Sequence, residues 1–323
     1  MVLSAVIDVG SNTIRLLIGN VKDNRIEDVL YERKITRLAE RINQDRILKA
    51  GRIEASIAVL KEFSSIIQSY GVKTVRAVAT SALREAHDAG VFIRRVLDDT
   101  GISIEVISGE KEAEFTLKGI LSSLPDSLIT HNSTFIIDIG GGSTEWILCK
   151  GKDSVDMGSI PIGVIKLHEN FIKTDPVSEA DISALNREVL SFLEILKRRI
   201  SHHIKRKTNF IGTAGTFTTL ASVDLQLEMY SRGKIHLHRI PLSRLYDMGK
   251  RLLALPLRER ENVVGLEAGR ADLIIPGIQF TINIMESFNF DELIVSDYGL
   301  LEGVLLETLK ERDEKNIPEA RKP

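Results

Sequence analysis

Two stretches of the chain share one pattern, AVIDVGSNTIRLLIG at residues 5–19 and FIIDIGGGSTEWILC at residues 135–149. When Asp8 is aligned with Asp138, the neighbouring isoleucine and glycine positions coincide and the flanking apolar positions stay in phase. Each copy reads as an apolar strand, a glycine-containing turn and a second apolar strand. The repeat therefore predicts a pseudo-symmetric pair of domains that face each other across a cleft.

Helix and strand patterns alternate along the rest of the chain. Apolar residues recur at helical spacing over residues 53–67 and 110–124, and residues 72–80 between them read as a strand. Ser178 is placed to cap a long helix over residues 179–205. Strands that alternate with helices are typical of an α/β sheet with helices packed on it, so we expect the α/β class.

Domain boundaries follow from breaks in these patterns. Residues 125–133 begin with proline and are mostly polar, which is typical of a hinge. We expect a first domain over residues 1–125 and a second over residues 126–299. A helix over residues 300–310 is expected to pack back on the first domain, and residues 311–323 to form a charged, frayed tail.

Composition excludes several classes of protein. The chain has 323 residues, with 43 Lys and Arg against 45 Asp and Glu, which argues against a DNA-coating protein. The single cysteine, Cys149, excludes a disulfide framework and a cysteine-based zinc site. The apolar run at residues 273–285 is too short to span a bilayer, and the start of the sequence lacks a signal-peptide pattern. We therefore expect a cytoplasmic protein with neither DNA nor a membrane as partner.

The two repeated turns have the chemistry of a polyanion site. Glycines let a backbone approach phosphate closely, and turn N–H groups and hydroxyls donate to its oxygens. The acidic residue before each turn cannot bind phosphate directly but can hold a hydrated Mg2+ that does. The alternative is two hairpins whose glycines merely satisfy turn geometry. The candidate donors are Ser11, Asn12, Gly140, Gly141, Gly142, Ser143 and Thr144.

A third loop, GTAGT at residues 212–216, stands before a helix and is a further candidate for phosphate binding. Free N–H groups and the helix dipole favour an anion at such a position. Its candidate residues are Gly212, Thr213, Gly215 and Thr216. No Walker A lysine follows any of the three loops and no GxGxxG motif is present, which disfavours P-loop and dinucleotide-binding proteins.

Six motifs together carry a family resemblance: IDVGSN (7–12), ATSALREA (79–86), SGEKEA (108–113), IDIGGGSTE (137–145), GTAGT (212–216) and SDYGLLEG (296–303). They resemble the exopolyphosphatase/guanosine-pentaphosphate phosphohydrolase family, part of the wider superfamily of actin-like ATPases and sugar kinases. The resemblance implies two ribonuclease-H-like (actin-like ATPase) domains facing each other across an interdomain cleft that holds the active site. It also implies Mg2+-dependent hydrolysis of a terminal phosphoanhydride in inorganic polyphosphate or pppGpp, and a homodimer.

The resemblance assigns the catalytic role to one glutamate. In the family, the glutamate just before the alanine of SGEKEA orients or deprotonates the attacking water, and here that position is Glu112. Composition alone would make Glu112 a solvated carboxylate on a charged first helical turn.

Further roles follow from the same motifs. The metal ligands are expected to be Asp8, Asp138 and Glu145. Arg15 and Arg84 resemble the family arginines that meet substrate phosphates, and an arginine fork is always charged and can bind phosphate with two hydrogen bonds. The alternative for both is a surface salt bridge. Arg270, in GRADLI (269–274), resembles a family position near the nucleotide or phosphate end.

Four functions are compatible with these motifs. The first is a Mg2+-dependent exopolyphosphatase that removes the terminal phosphate of inorganic polyphosphate with a Glu112-activated water. The second is a pppGpp 5′-phosphohydrolase with the same chemistry. The others are a ppGpp-binding sensor in the stringent response and a small-molecule kinase of the same superfamily. The complete SGEKEA motif favours hydrolysis over binding alone.

Two other patterns have two possible meanings each. The dipeptide His87-Asp88 occurs in metal-dependent HD sites, but no other ligands are spaced for such a site. Residues 197–207 (KRRISHHIKRK) carry six basic residues and two histidines. They could form a track for a polyanion tail or the basic C-terminal end of a solvated helix.

Overall fold

The computed structural model describes residues 3–22, 25–129 and 133–315. The chain forms two compact units, the first made of Met1–Ser123 with Tyr298–Pro323 and the second of Leu124–Asp297. Part of the expected hinge (130–132) and most of the expected tail (316–323) lie outside the described residues.

The first unit is built on a five-stranded sheet of order β3-β2-β1-β4-β5. Its strands are β1 (Ser4–Val9), β2 (Thr13–Lys22), β3 (Arg25–Ile35), β4 (Thr74–Ala79) and β5 (Ile104–Val106). Strands β1 to β3 form an antiparallel meander, whereas β4 runs parallel to β1 and β5 parallel to β4. Its helices before the domain boundary are α1 (Ile42–Asp45), α2 (Ala50–Ser69), α3 (Ser81–Glu85), α4 (Ala89–Thr100) and α5 (Gly109–Leu121).

The second unit has a six-stranded sheet of order β10-β11-β9-β6-β7-β8. Its strands are β6 (Ser133–Ile139), β7 (Thr144–Lys150), β8 (Asp153–Ile160), β9 (Asn209–Thr213), β10 (Arg239–Pro241) and β11 (Glu292–Val295). The helices are α6 (Asp126–Ile129), α7 (Val164–Phe171), α8 (Glu179–Ile200), α9 (Ala214–Asp224), α10 (Arg232–Ile235), α11 (Leu242–Leu253), α12 (Leu257–Arg260) and α13 (Ile274–Phe288). A short 3-10 helix lies at Ala268–Arg270.

The last helix, α14 (Leu300–Lys315), belongs to the first unit and packs on α5. Its apolar residues join the core formed by Val6, Leu17 and Phe115. The two helices approach so closely that a Cβ on Gly303 would lie 1.8 Å from the carbonyl oxygen of Phe115. Only glycine fits at such a contact, which gives the SDYGLLEG motif a structural role.

The internal repeat is a repeat of structure. In each unit an antiparallel meander of three strands is joined by a parallel strand beside its first strand, β4 in one unit and β9 in the other. The Gly10 N–H donates to the Thr13 carbonyl at 3.2 Å, and the Gly140 N–H donates to the Ser143 carbonyl at 3.0 Å. The expected α/β class and the two sheets are therefore confirmed.

Among the described residues, no helix has both the length and the apolar character needed to cross a membrane.

Candidate active site

The carboxylate of Asp8 lies at the end of β1 and is bound by the arginine opposite it on β2. Arg15 is the register partner of Asp8, and its Nε and Nη2 lie 2.8 and 2.7 Å from Asp8 Oδ2. Asp8 is only 2% exposed, and its other oxygen, Oδ1, is buried and has no hydrogen-bond partner among the described residues. One oxygen of this buried carboxylate is thus neutralised by Arg15 and the other remains available to a ligand.

Glu112 and Arg84, both singled out from the sequence, form an ion pair in the first unit. Arg84 Nη1 donates to Glu112 Oε2 at 2.9 Å and to the Ile107 carbonyl at 3.0 Å. Glu112 lies in the first turn of α5 and is 7% exposed, so it is not the solvated carboxylate that composition alone would suggest. A carboxylate buried beside arginine is held in one orientation by a charge-assisted hydrogen bond.

Helix α5 is positioned by its cap. The hydroxyl of Ser108 accepts a hydrogen bond from the Lys111 N–H, which satisfies a free amide at the helix start. Glu110, in the same turn, is exposed, and its pKa is lowered first by its own backbone N–H and then by the Ser108 hydroxyl. Two carboxylates of one turn therefore have different surroundings, and only Glu112 is held by an arginine inside the protein.

The turn that carries Ser11 and Asn12 is held by a segment that sequence reasoning missed. The N–H groups of Thr36 and Arg37 both donate to the Asn12 carbonyl at 3.0 Å, and the Ala39 N–H donates to the Ser11 carbonyl at 2.9 Å. Both Ser11 and Asn12 are buried, and neither polar atom of the Asn12 side chain has a hydrogen-bond partner among the described residues.

This segment contains three arginines with left-handed backbone. Arg37, Arg41 and Arg46 have φ values of 54°, 57° and 55°. Such a conformation is uncommon for residues with a side chain, and strain of this kind is concentrated at ligand-binding sites. The run of basic residues after the third strand was the available sequence signal. Its attachment to Ser11 and Asn12 makes these arginines additional candidates for phosphate contact.

The dipeptide His87-Asp88 has a structural role here. The His87 N–H donates to the Arg46 carbonyl at 2.8 Å, and Asp88 Oδ1 accepts from the Leu48 N–H at 3.1 Å. These bonds tie the arginine segment to the residues that follow α3, the helix that carries Arg84.

In the second unit, the loop between β6 and β7 is held through its carbonyl groups. The Gly140 and Gly141 carbonyls accept from the N–H groups of Val164 and Ile165 at the start of α7, at 3.0 and 2.9 Å. A Cβ on Gly163 would lie 2.3 Å from the Gly141 backbone, so helix and loop are in direct contact. These two carbonyl groups point to α7. An anion bound at the loop would therefore contact the N–H groups and hydroxyls of the turn and not the carbonyl oxygens.

The remaining donors of this loop divide into two kinds. The Thr144 hydroxyl donates to the Ile162 carbonyl at 2.6 Å, so it stabilises the loop and is not a free donor for phosphate. Gly142 and Ser143 are both buried, whereas Gly140 and Gly141 are half-buried. Gly142 and Ser143 are candidate donors to phosphate, whereas the Thr144 hydroxyl stabilises the loop.

A row of polar residues crosses the second sheet beside this loop. Thr213, Asp138, Glu145 and Ser159 are successive register partners on β9, β6, β7 and β8. Residues directly opposite in neighbouring strands lie on the same face. The Ser159 hydroxyl donates to Glu145 Oε1 at 2.7 Å, and both carboxylates are buried. The sheet thus places two buried carboxylates side by side.

The repeat differs between the units at one decisive position. Glu145 stands where the first unit has Arg15, since both are register partners of the repeated aspartate. Asp8 therefore faces a built-in cation, whereas Asp138 faces a second carboxylate. Two neighbouring carboxylates favour a bound cation, so Asp138 and Glu145 are better placed than Asp8 for a metal.

Arg270, expected from the sequence to contact phosphate, lies against the third loop. A Cβ on Gly215 would lie 2.2 Å from Arg270 Nη1, so the guanidinium rests on this loop at the start of α9. The Thr216 hydroxyl donates to the Ile139 carbonyl at 2.9 Å and is therefore already engaged. Thr213 is buried at the N-cap position of α9 without a side-chain cap bond, and Gly212 precedes it on β9. Arg270 and the loop amides are the groups here that could bind an anion.

The described residues could hold Mg2+ through one or two carboxylates. Within residues 3–22, 25–129 and 133–315, no group of three or more His, Cys, Asp or Glu side chains is arranged to hold a metal ion. Mg2+ commonly uses only one or two carboxylates and keeps several of its waters. Asp138 with Glu145, and Asp8 through its unbonded buried Oδ1, meet that smaller requirement.

Cys149 is excluded from the chemistry. It is buried in β7, and burial raises the pKa of its thiol to about 12, so it is not a thiolate nucleophile at neutral pH.

Curated relatives match most of this chain. "Exopolyphosphatase 2" of Mycobacterium tuberculosis is 30% identical over 94% of this chain and 97% of its own length. "Bifunctional 3-dehydroquinate synthase/phosphatase" of Fusobacterium nucleatum is 32% identical over 96% of this chain, which spans only 47% of that protein. "Guanosine-5'-triphosphate,3'-diphosphate pyrophosphatase" of Vibrio cholerae is 26% identical over 98% of this chain and 61% of its own length.

Two solved structures also match nearly the whole chain. The Aquifex aeolicus member of the Ppx/GppA family has a TM-score of 0.76 and 34% identity, over 98% of this chain and 99% of that one. An exopolyphosphatase from Cytophaga hutchinsonii has a TM-score of 0.88 and 29% identity, over 96% of this chain and 98% of that one.

The model of one protein family, "Ppx/GppA phosphatase family", matches residues 17–312. This range contains the Arg84–Glu112 pair, both carboxylates of the second unit and the third loop with Arg270. The chain belongs to the Ppx/GppA phosphatase family.

Proposed function

We propose that this protein is an exopolyphosphatase that hydrolyses the terminal phosphoanhydride bond of inorganic polyphosphate. The observation that carries the proposal is the buried Glu112 carboxylate held by Arg84 at 2.9 Å at the start of α5. The similarity to an exopolyphosphatase over nearly the full length of both chains supports the choice of substrate.

In the proposed reaction, Glu112 accepts a proton from the attacking water as the water oxygen bonds to the terminal phosphorus. The bond from phosphorus to the bridging oxygen breaks, and the products are orthophosphate and a polyphosphate shorter by one unit. Hydrolysis of this kind depends mainly on positioning and on neutralising charge on the phosphoryl oxygens. A general base contributes on the order of 100- to 10,000-fold to the rate.

The other residues would bind and orient the phosphate chain. Arg84 keeps Glu112 oriented, and its guanidinium has five N–H donors, enough to hold the carboxylate and also contact phosphate. The turn at Ser11 and Asn12, the loop at residues 140–143 and Arg270 would donate to phosphate oxygens. Mg2+ held by Asp138 and Glu145, or by Asp8, would supply further neutralisation of the phosphate charge.

A second candidate substrate is pppGpp. Its terminal phosphates have the same chemistry as a polyphosphate end, and the similarity to the Vibrio cholerae pyrophosphatase favours it. Rates of phosphate release from polyphosphate and from pppGpp, measured in parallel, distinguish the two proposals.

The test of the mechanism uses two glutamates of one helical turn. With Mg2+ present, Glu112→Gln should lower phosphate release from long-chain polyphosphate by about 100-fold or more, because it removes the general base. Glu110→Gln is the matched control, since Glu110 is exposed in the same turn and should be replaceable without loss. Released orthophosphate is the measurement, with tripolyphosphate, pppGpp and ATP as parallel substrates.

Equal rates for Glu112→Gln and wild type would contradict the mechanism. Faster release from pppGpp than from polyphosphate would reverse the choice of substrate.

A further inference from the structure

A strongly basic surface lies on the second unit, outside the residues that the proposed reaction uses. We call it the basic edge and define it as Lys150, Lys152, Lys197, Lys205, Arg206 and Lys207. All six side chains are exposed. Among the residues that the structure describes, none of the six forms an ion pair. Asp153, the register partner of Lys150, is the acidic residue directly opposite it, and the six cations still form a concentration of positive charge.

The sheet gathers these residues at one of its ends. Asn209, just after the run at residues 205–207, begins β9 and is the register partner of Thr134, while Lys150 ends β7 and is the partner of Ser133. Strands β9 and β7 flank β6, so these two positions are about 10 Å apart across the sheet. Segments distant in sequence thus form one surface.

The basic edge lies opposite the phosphate loop of the same unit. Strand β9 runs from Asn209 to Thr213, and Thr213 is the register partner of Asp138 beside that loop. At about 3.3 Å per residue, the two ends of β9 are about 13 Å apart. A short phosphate ligand at the loop would not reach the basic edge, but a long linear polyanion would.

Of the six residues of the basic edge, Lys197 alone lies in the last turn of α8, so the helix dipole does not account for the other five. The basic residues in the last turn of α8 include Arg198 and Arg199, and these are paired with Glu194 and Asp156 at 2.8 and 2.7 Å. The favourable effect of the helix dipole is limited to the last turn. Residues 205–207 follow the end of α8, in a turn closed by bonds from Lys205 N–H to Thr208 Oγ1 and from Thr208 N–H to the Lys205 carbonyl, both at 2.8 Å.

The surroundings favour an inorganic polyanion over a nucleic acid. Proteins that bind single-stranded nucleic acids combine cations with exposed aromatic rings on which bases stack. The indole ring of Trp146 is 3% exposed and covered by Arg199, whose Cζ lies 5.0 Å from the ring centroid. The exposed rings beside the basic edge are the small imidazoles of His202 and His203, whose centroids lie 3.9 Å apart. The exposed large apolar residues on the neighbouring elements are Val155, Leu190 and Ile195, which are not aromatic. Among the described residues here, no Phe, Tyr or Trp ring is exposed beside these cations, which suits a chain of phosphates that has no bases.

We propose that the basic edge is a second binding site for long-chain inorganic polyphosphate, remote from the phosphate loop; this inference rests on the proposed function. Contacts to the basic edge hold a long substrate on the protein and lower its KM. They make no difference to tripolyphosphate or to the hydrolytic step itself. The preference for long chains therefore originates on the second unit, at the end of its sheet opposite the phosphate loop.

The test is a triple variant with a matched control. Lys205→Gln/Arg206→Gln/Lys207→Gln removes three charges from the basic edge. Lys73→Gln/Arg94→Gln/Lys250→Gln removes three exposed, unpaired charges scattered over the surface, so both variants have the same net charge. The measurements are kcat and KM for long-chain polyphosphate and for tripolyphosphate, and binding of end-labelled long-chain polyphosphate by fluorescence anisotropy without Mg2+.

The basic-edge variant should raise KM and Kd for long-chain polyphosphate about tenfold while leaving kcat and the tripolyphosphate KM unchanged. The slope of log Kd against log salt concentration should fall by about 2, since each lost contact removes about 0.7. The control variant should behave like wild type.

Three results would overturn the proposal: equal Kd values for wild type and the basic-edge variant, equal losses in both triple variants, or displacement of polyphosphate by poly(U) RNA of equal length at equal concentration. The last result would assign the surface to nucleic acid. If wild type hydrolyses no polyphosphate, the proposed function fails, and the binding measurements still decide the basic edge.

Discussion

At the scale of single residues, the chemistry depends on which charge faces which carboxylate. Arg84 is a positioning residue for Glu112, because its Nη1 bridges the carboxylate and the Ile107 carbonyl before helix α5. An arginine fork fixes direction as well as charge, which an ammonium group does less well. The pair thus gives Glu112 a defined orientation before any substrate arrives.

Replacement of Arg84 tests this role. Arg84→Gln should lower kcat for phosphate release about 100-fold, because Glu112 loses its orienting partner. Arg84→Lys should recover part of that loss, since it restores charge without the fork. Arg95→Gln is the control, because Arg95 forms an exposed pair with Glu54 in the same unit. A variant that raises KM but keeps kcat would show that Arg84 binds substrate and does not position the base.

At the scale of secondary-structure elements, the contact between α5 and α14 stabilises the helix that carries Glu112, the proposed general base. The contact is closed by glycines, since a Cβ on Gly119 would lie 1.9 Å from the Gly299 carbonyl oxygen. The Gly299 N–H in turn donates to Glu302 Oε2 at 2.8 Å at the start of α14. Helix α5 carries Glu112, so this packing fixes the helix on which the proposed base lies.

Gly303→Ala should therefore destabilise the protein by about 1–3 kcal/mol, because the new methyl group overlaps the Phe115 backbone. Gly90→Ala is the control: Gly90 is in helix α4 with nothing within 4 Å of a Cβ, and alanine there should be neutral or stabilising. The midpoint of urea unfolding, followed by circular dichroism, gives the comparison. Equal midpoints for the two variants would show that the helices can move apart at little cost.

At the scale of the whole molecule, the end of the chain completes the first unit. Helix α14 follows the entire second unit in sequence, yet its apolar residues belong to the core of the first. An ion pair between Lys118 Nζ and Glu307 Oε2, at 2.7 Å, adds to this attachment. The pKa of Glu307 is lowered below its ordinary value of 4.5, chiefly by the hydrogen bond from Lys118.

A pH dependence follows from that pair. Because the pKa of Glu307 is lower in the folded protein, the unfolded chain binds the proton more readily. The stabilisation is present above pH 4.5 and is lost as the pH falls through the lowered value. Wild type should therefore lose more of its unfolding free energy than Lys118→Met between about pH 5 and pH 3. Parallel curves for the two proteins in urea titrations at each pH would contradict this assignment.

Several elements could be predicted from local patterns, and others could not. The cap at Ser178 was predicted and its hydroxyl accepts from the Asp181 N–H, but α8 ends at Ile200 and not at residue 205. Basic residues continue past the helix end, so composition gave no stop signal there. Helix α13 is buried on nearly every side, so its sequence has no polar face from which a helical period could be read.

The sequence by itself determined the repeat, the α/β class, the family and the motifs that contain the candidate residues. These follow from local order, because a strand, a turn and a second strand are encoded within fifteen successive residues. Only the tertiary structure decided the partners: Arg15 on Asp8, Glu145 beside Asp138, Arg84 on Glu112 and Arg270 on the third loop. Those pairs depend on strand register and helix packing. The apolar pattern within one segment does not show which side chain of another segment it will contact.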